Sequence, residues 1–302
     1  MGSIIDSLAS KQLVTPPGFL RANVQYEVLM GSVAYGVSTD TSDMDIYGFC
    51  IPPKNIVFPH LNGEIMGFGK QHERFEQWQQ HHIKDVSAKK EYDFSIYSIV
   101  KYFQLCMQNN PNMIDSLFVP RRCILHSTAV GELVRENRKL FLHKGAWHKF
   151  KGYAYSQVHK MRIKNPEPGS TRYEMVQKYG YDLKFAYHVV RLLNEIEQIL
   201  TEHDLDLERN REQLKAIRRG EWTQEQIIDY FETREKDLES LYTSSSLPHS
   251  PDEEKIKGLL LQCLEHHYGS LGDTIKTDVT INSVLDEMQA YIDKIRKTIN
   301  RT

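Results

Sequence analysis

Residues 31–45 read GSVAYGVSTDTSDMD, between the apolar runs VQYEVLM (24–30) and IYGFCI (46–51). The two runs read as strands, Gly31-Ser32 as the opening of a turn, and the Gly-, Ser- and Thr-rich segment as a loop. The second strand is expected to begin near Asp43. Alternate residues of a strand share a face, so Asp43 and Asp45 present two carboxylates side by side, while Met44 and Ile46 turn toward a core. Neighbouring carboxylates repel each other unless a cation lies between them. Mg²⁺ suits such a pair, because it takes hard oxygen ligands and completes its shell from substrate phosphates. The Gly-Ser turn offers backbone N–H groups and the Ser32 hydroxyl to phosphate oxygens, and Gly31 lets the backbone approach a ligand closely.

The chain has 302 residues, 40% hydrophobic and 26% charged, which is ordinary for a globular protein of one large domain or two. A net charge of −2 excludes a histone-like, whole-chain polyanion binder, so any nucleic-acid contact needs a local basic patch. Cys50, Cys106, Cys123 and Cys263 are far apart in apolar runs, without CxxC spacing, and read as buried reduced thiols of a cytoplasmic protein. No apolar stretch approaches the length of a membrane span, and the first residues lack a signal-peptide pattern. Asp6 stands where a myristoylation signal needs Ser or Thr. A soluble, cytoplasmic protein without membrane contact is expected.

Taken in order, residues 1–20 are a lead-in broken by Pro16-Pro17-Gly18, and residues 54–70 are loop-like. FEQWQQHHI at 75–83 alternates imperfectly as a strand. EYDFSI at 91–96 alternates cleanly, with Tyr92, Phe94 and Ile96 on one face and Glu91, Asp93 and Ser95 on the other. Ser95 is the expected cap of a helix over 96–108, which Asn109-Asn110-Pro111-Asn112 stops. A short helix at 113–118 and a strand at 123–126 follow. Beyond Thr128 helical periodicity dominates, with helices expected near 128–139, 146–162, 172–200, 208–219, 224–242, 252–267 and 283–299. Thr223 with Gln226 fits a capping box. The expected fold class is α+β: a small mixed sheet with flanking helices over residues 1–127, then an all-helical domain over residues 128–302.

Two acids on a strand are common, and Gly-Ser is often only a turn. Strand, Gly-Ser, ten residues, then Asp-x-Asp entering a second strand is a sharper combination. It resembles the signature of the DNA polymerase β-like nucleotidyltransferases. That resemblance implies a small mixed sheet whose Gly31-Ser32 turn holds the triphosphate and whose Asp43 and Asp45 hold divalent ions, Mg²⁺ or Mn²⁺. It also implies a third carboxylate from a later strand. Asp93 is the choice, on the polar face of an alternating segment that runs into a helix. Glu91 shares that face and is the alternative, while Asp85 in a polar loop and Asp115 in a helix fit less well. Three carboxylates would offset the charge of two ions, and Asp93 could also orient or deprotonate an acceptor hydroxyl. Its plainer reading is a cap of the helix it precedes.

Later stretches resemble one branch of that superfamily, the RlaP-like predicted nucleotidyltransferases. They are Asn110-Pro111-Asn112 with Ser116-Leu117-Phe118, then Tyr181, Asp182, Lys184, His188, Arg191, Leu192 and Leu193, and finally Ser246-Leu247-Pro248 before Pro251-Asp252-Glu253-Glu254. Read on their own, Lys184, His188 and Arg191 fall at i, i+4 and i+7, one stripe of a helix. A shared anion, the triphosphate or its pyrophosphate, would explain three cationisable groups in a row; a solvated basic face is the plainer reading. Lys160, Arg162 and Lys164 are either a helix C-terminus complementing its dipole or a nucleotide or RNA contact. His81-His82 and His266-His267 lack a third ligand at sensible spacing and read as surface or cap residues. Trp78, Trp147 and Trp222 read as packing, although Trp147 beside His143, Lys144 and His148 could line a groove.

The resemblance implies transfer of a nucleoside monophosphate from an NTP to an RNA end, a protein side chain or a small molecule such as an aminoglycoside. The helical region is the expected place of acceptor recognition, and no stable DNA binding is expected. A nucleotide-binding regulatory module without turnover would usually lose one metal-binding Asp, whereas Asp43 and Asp45 are both present. A toxin-like transferase acting on tRNA or a partner protein is a third reading.

Overall fold

The first strand, β1 (Val24–Leu29), is buried along its whole length and pairs antiparallel with β2 (Met44–Cys50) on one side and β5 (Ile124–Ser127) on the other. β4 (Lys90–Ser98) runs parallel to β2, and β3 (Gln77–Asp85) closes that edge antiparallel to β4. The sheet order is β3-β4-β2-β1-β5 in this computed structural model, which describes residues 2–38, 42–163, 166–274, 288–289 and 292. Lys164 and most of the helix expected over 283–299 lie outside the described residues.

The parallel β2–β4 pairing decides the site, because its register sets Asp45 directly opposite Asp93. It also extends β4 beyond the expected segment, to the pair Cys50 and Ser98. The cap of the following helix, Ile99–Met107, is therefore Ser98, whose Oγ accepts from Lys101 N at 3.2 Å, and not Ser95. Ser95 stays within the sheet and accepts from Gln79 Nε2 at 3.2 Å. On β1, the buried Glu27 carboxylate accepts from Ser3 Oγ and Ile4 N, each at 2.8 Å, and so ties the first helix, Ile4–Ser10, to the sheet.

From Ala129 onward the secondary structure of the described residues is helical, as the periodicity indicates, with short 3₁₀ stretches at Arg138–Phe141 and Leu271–Thr274. The helix expected over 172–200 is two helices, Thr171–Tyr179 and Leu183–Glu202. Gly180 ends the first at a φ of +83°, and the Asp182 side chain starts the second by accepting from Lys184 N at 2.8 Å. Leu183–Glu202 is apolar on nearly every side and buried accordingly, packed against Ala146–Ile163, Arg211–Arg218 and Gln224–Ser244. All four cysteines are buried and unpaired.

The chain divides into two compact units. One comprises Met1–Pro52 and Phe75–Cys263, and so holds the whole sheet and the helix Leu183–Glu202; the other comprises Pro53–Arg74 and Leu264–Thr302. In the second, the Phe58 and Tyr268 rings meet edge-on at 6.1 Å. Among the described residues no helix is long and apolar enough to cross a membrane.

Candidate active site

After β1 the backbone turns at Gly31 with φ +62° and continues as one helical turn, Gly31–Ala34. A Cβ at residue 31 would lie 2.1 Å from Asp45 Oδ2. Glycine is thus required twice, for the left-handed conformation and for the approach of the carboxylate. Met30 N donates to the Asp45 carbonyl at 2.7 Å, tying the turn to β2. Gly31→Ala is expected to cost about 1–2 kcal/mol from the backbone alone. It should also displace Asp45, so that any metal-stimulated activity falls further than the melting temperature indicates; thermal melts and rate measurements on one preparation check this.

Gly31, Ser32, Asp43 and Asp45 line a cavity of about 440 Å³, and Lys184, His188 and Arg191 line it from the helix Leu183–Glu202. Asp43 is exposed and Asp45 half-buried. Burial raises the Asp45 carboxyl above its ordinary range, Asp93 and then Asp43 raise it further, and Lys184 opposes them. The Asp93 contribution follows from the register, since paired strands lie only about 4.8 Å apart. Asp93 stands one strand over from the cavity lining. Its Oδ1 accepts from His82 N at 2.7 Å, with His81 Nδ1 at 3.7 Å.

Both histidines reach Asp93 because the β3–β4 register shifts between Gln80 and Ile83, with His82 at φ +57°. They are exposed, as the sequence reading expects, and the irregularity behind the imperfect alternation of 75–83 is this bulge. The other carboxylates considered are bound elsewhere. Glu91 accepts from or shares a proton with His82 Nδ1 at 2.8 Å, Asp85 pairs with Lys11 at 2.7 Å, and Asp115 lies fully buried against Arg191.

Among the described residues no three His, Cys, Asp or Glu side chains make a ready metal cluster. Asp43, Asp45 and Asp93 are nevertheless all hard oxygen donors. Burial does most to lift the Asp45 carboxyl, and the repulsion from Asp93 and Asp43 that adds to it is what a divalent cation would relieve. The glycine cradle around Asp45 Oδ2 fits the same group.

On the helical side the three residues of the stripe differ. Lys184 is exposed. Burial first, then Arg191 and Lys184, hold His188 well below the ordinary imidazole range, so it is neutral at pH 7. Arg191 is 5% exposed, and its Nη1 donates to Glu195 at 2.9 and 3.0 Å, to Tyr35 Oη at 2.8 Å and to Asp115. Tyr35 Oη in turn donates to Asp115 Oδ2 at 2.7 Å. Sequence reasoning missed Tyr35, Tyr187 and Arg218 as cavity residues. Arg218, at the end of Arg211–Arg218, donates to the Val37 carbonyl and lies 5.6 Å over the Tyr187 ring. Lys160 and Arg162 are exposed at the end of Ala146–Ile163, whereas Trp147 is a core residue at 1% exposure.

A mixed sheet with a Gly-Ser turn against paired aspartates, beneath a helix carrying Lys184, defines a nucleotidyltransferase-like protein. More particularly, the chain belongs to RlaP, the RNA repair pathway DNA polymerase beta family, whose model matches residues 10–262. It is 24% identical over 144 residues to an uncharacterized 38.9 kDa protein of the nrdC-mobD intergenic region of Enterobacteria phage T4. That match covers 47% of this chain and 40% of the length of the phage protein. A solved nucleotidyltransferase-like protein from Exiguobacterium sibiricum 255-15 is similar at 11% identity and a TM-score of 0.28, over 86% of this chain and 71% of the other.

Proposed function

We propose that the chain transfers a nucleoside monophosphate from an NTP to a hydroxyl acceptor, with Mg²⁺ or Mn²⁺ held by Asp43, Asp45 and Asp93. The observation that carries this reading is the packing of Asp45 against Gly31, in register with Asp93, at the wall of a cavity. The divalent ion would supply charge neutralisation for the phosphates. In the reaction, the acceptor oxygen forms a bond to the α-phosphorus while the bond from that phosphorus to the β-bridging oxygen breaks. Pyrophosphate leaves with the electron pair, and the hydroxyl proton passes to the Asp93 carboxylate or to water. No covalent enzyme intermediate is needed, so positioning and charge stabilisation carry the rate.

In this reading Ser32 and the turn after Gly31 bind the β- and γ-phosphates, and Lys184 adds a positive charge from the opposite wall. His188, being neutral, offers a ring N–H without charge. Arg191 also lines the cavity, where its guanidinium, shared by Asp115 and Glu195, would shape the wall around the phosphates rather than add net positive charge. Residues 1–127 then carry the metal and triphosphate side of the donor site, and the helix Leu183–Glu202 of the helical region supplies the facing wall. The four unpaired thiols suit a cytoplasmic setting. The family description points to RNA among the possible acceptors.

The test is incubation of the protein with each α-labelled NTP, Mg²⁺ or Mn²⁺, and a total cell extract separated afterwards into RNA, protein and small-molecule fractions. Label is expected in one fraction with release of pyrophosphate. No incorporation with any NTP and either metal would refute the reading.

A further inference from the structure

A second groove, of about 690 Å³, adjoins the donor cavity and shares Ser42 and Asp43 with it. Its far wall is the β3–β4 hairpin, which contributes Lys84, Lys89 and Lys90, all exposed. In the strand ladder Lys84 faces Glu91 and Lys90 faces Asp85, yet neither ion pair forms. Both carboxylates have other partners. Asp85 is held by Lys11 at 2.7 Å, which with Ser87 and the Ala88 N–H keeps its carboxyl down at about 2. Glu91 is taken by His82 at 2.8 Å. Asp85 and Glu91 line the groove as well, but with Lys11 and His82 as their partners they leave Lys84, Lys89 and Lys90 in no ion pair among the described residues, beside Asp43.

The hairpin is also built rather than loose. Asp85 Oδ1 accepts from Ala88 N at 3.1 Å and from Ser87 Oγ, and Lys89 adopts φ +53° within the turn. The turn thus fixes where the lysines begin. Val86 stands beside them at 85% exposure. A groove that carries three lysines outside any ion pair among the described residues, with two of its three carboxylates already partnered, and that shares Ser42 and Asp43 with the donor cavity suits a chain of phosphates better than a folded protein or a small neutral molecule.

We propose that this groove holds the acceptor, and that the acceptor is a single-stranded oligonucleotide whose phosphodiester backbone is bound by Lys84, Lys89 and Lys90. The inference rests on the nucleotidyl-transfer reading of the adjoining cavity. It moves acceptor recognition from the helical region onto the edge of the sheet. The chain's net charge of −2 is no obstacle, because a local patch of three charges serves a short strand.

The test uses the full chain and a fluorescein-labelled 12-nucleotide RNA, with DNA of the same sequence in parallel, read by anisotropy from 50 to 200 mM KCl. The variant is Lys84→Gln/Lys89→Gln/Lys90→Gln, three exposed positions whose change should leave the melting temperature in place. Loss of tenfold or more in affinity at 50 mM salt is expected. The slope of log affinity against log salt should flatten by about 2, the sum of about 0.7 for each single-strand phosphate contact. Equal loss for RNA and DNA assigns recognition to phosphates alone, and a larger loss for RNA adds the 2′-hydroxyl. Binding of the wild-type strength by the triple variant, or no binding by the wild-type protein, would overturn the proposal. NTP affinity, measured in the same samples by isothermal titration, should be unchanged. NTP binding without oligonucleotide binding sinks the acceptor groove alone, whereas absence of NTP binding by the wild-type protein sinks the donor reading beneath it.

Discussion

Asp45→Asn is expected to abolish metal-dependent nucleotidyl transfer, by about 10²–10³-fold or more, while leaving the protein as stable as before or slightly more so. The two halves of that result have one cause. Burial, then Asp93 and Asp43, push the Asp45 carboxyl above its ordinary range, so at neutral pH its ionised form works against the fold. A carboxyl raised in this way contributes stability below its unfolded-state value, and that contribution disappears as pH rises through the folded-state value. Asparagine keeps the shape and removes the charge, and with it the repulsion. The same substitution deletes a hard ligand, so a Mg²⁺ titration followed by thermal melting should raise the wild-type transition and move the variant's much less. Asp43→Asn should share the loss of activity with a smaller gain in stability, since Asp43 is exposed. A double variant that still released pyrophosphate at the wild-type rate would remove these aspartates from the active site.

What the sequence made legible was local. Gly31, Asp43 and Asp45 lie within one strand–loop–strand segment, so spacing and alternation alone bring them together. Asp93 was reachable because the strand period is strict and the parallel register then sets it opposite Asp45. The missed features depend on contacts that no local pattern encodes. The three-way meeting of Tyr35, Asp115 and Arg191 joins positions 156 and 76 residues apart in sequence. The β3 bulge that carries His81 and His82 to Asp93 weakened the alternation of 75–83, and only pairing with β4 shows that weakness to be an insertion. The helix break at Gly180 was obscured by apolar periodicity on either side. A stripe of three basic positions could not reveal that one of them is neutralised by carboxylates from its own helix and from Pro111–Phe118.

Arg191→Ala should destabilise the protein by about 3–5 kcal/mol, the range found when one partner of a buried ion pair is removed. Among the described residues Arg191 is the only cation in an ion pair with Asp115 or Glu195, and both carboxylates are almost fully buried. Burial already holds the Glu195 carboxyl well above its usual range, with Asp115 adding to it and Arg191 opposing. Burial raises Asp115 too, again against Arg191. Without the guanidinium both must lose charge or disrupt the packing around them. Because raised carboxyls favour the fold at low pH and cease to do so as pH rises through their folded-state values, the deficit of the variant should be smaller at pH 5 than at pH 8. Urea unfolding at the two pH values measures this directly. Glu195→Gln is the informative contrast: it removes one of two negative charges that share one arginine, so it should cost far less than Arg191→Ala. Equal costs for the two substitutions would mean that shape, rather than charge balance, holds Tyr35 and Arg191 against the cavity. A loss of NTP affinity in Arg191→Ala would then have to be compared at matched folded fraction, where a direct phosphate contact still weakens binding and a purely structural arginine does not.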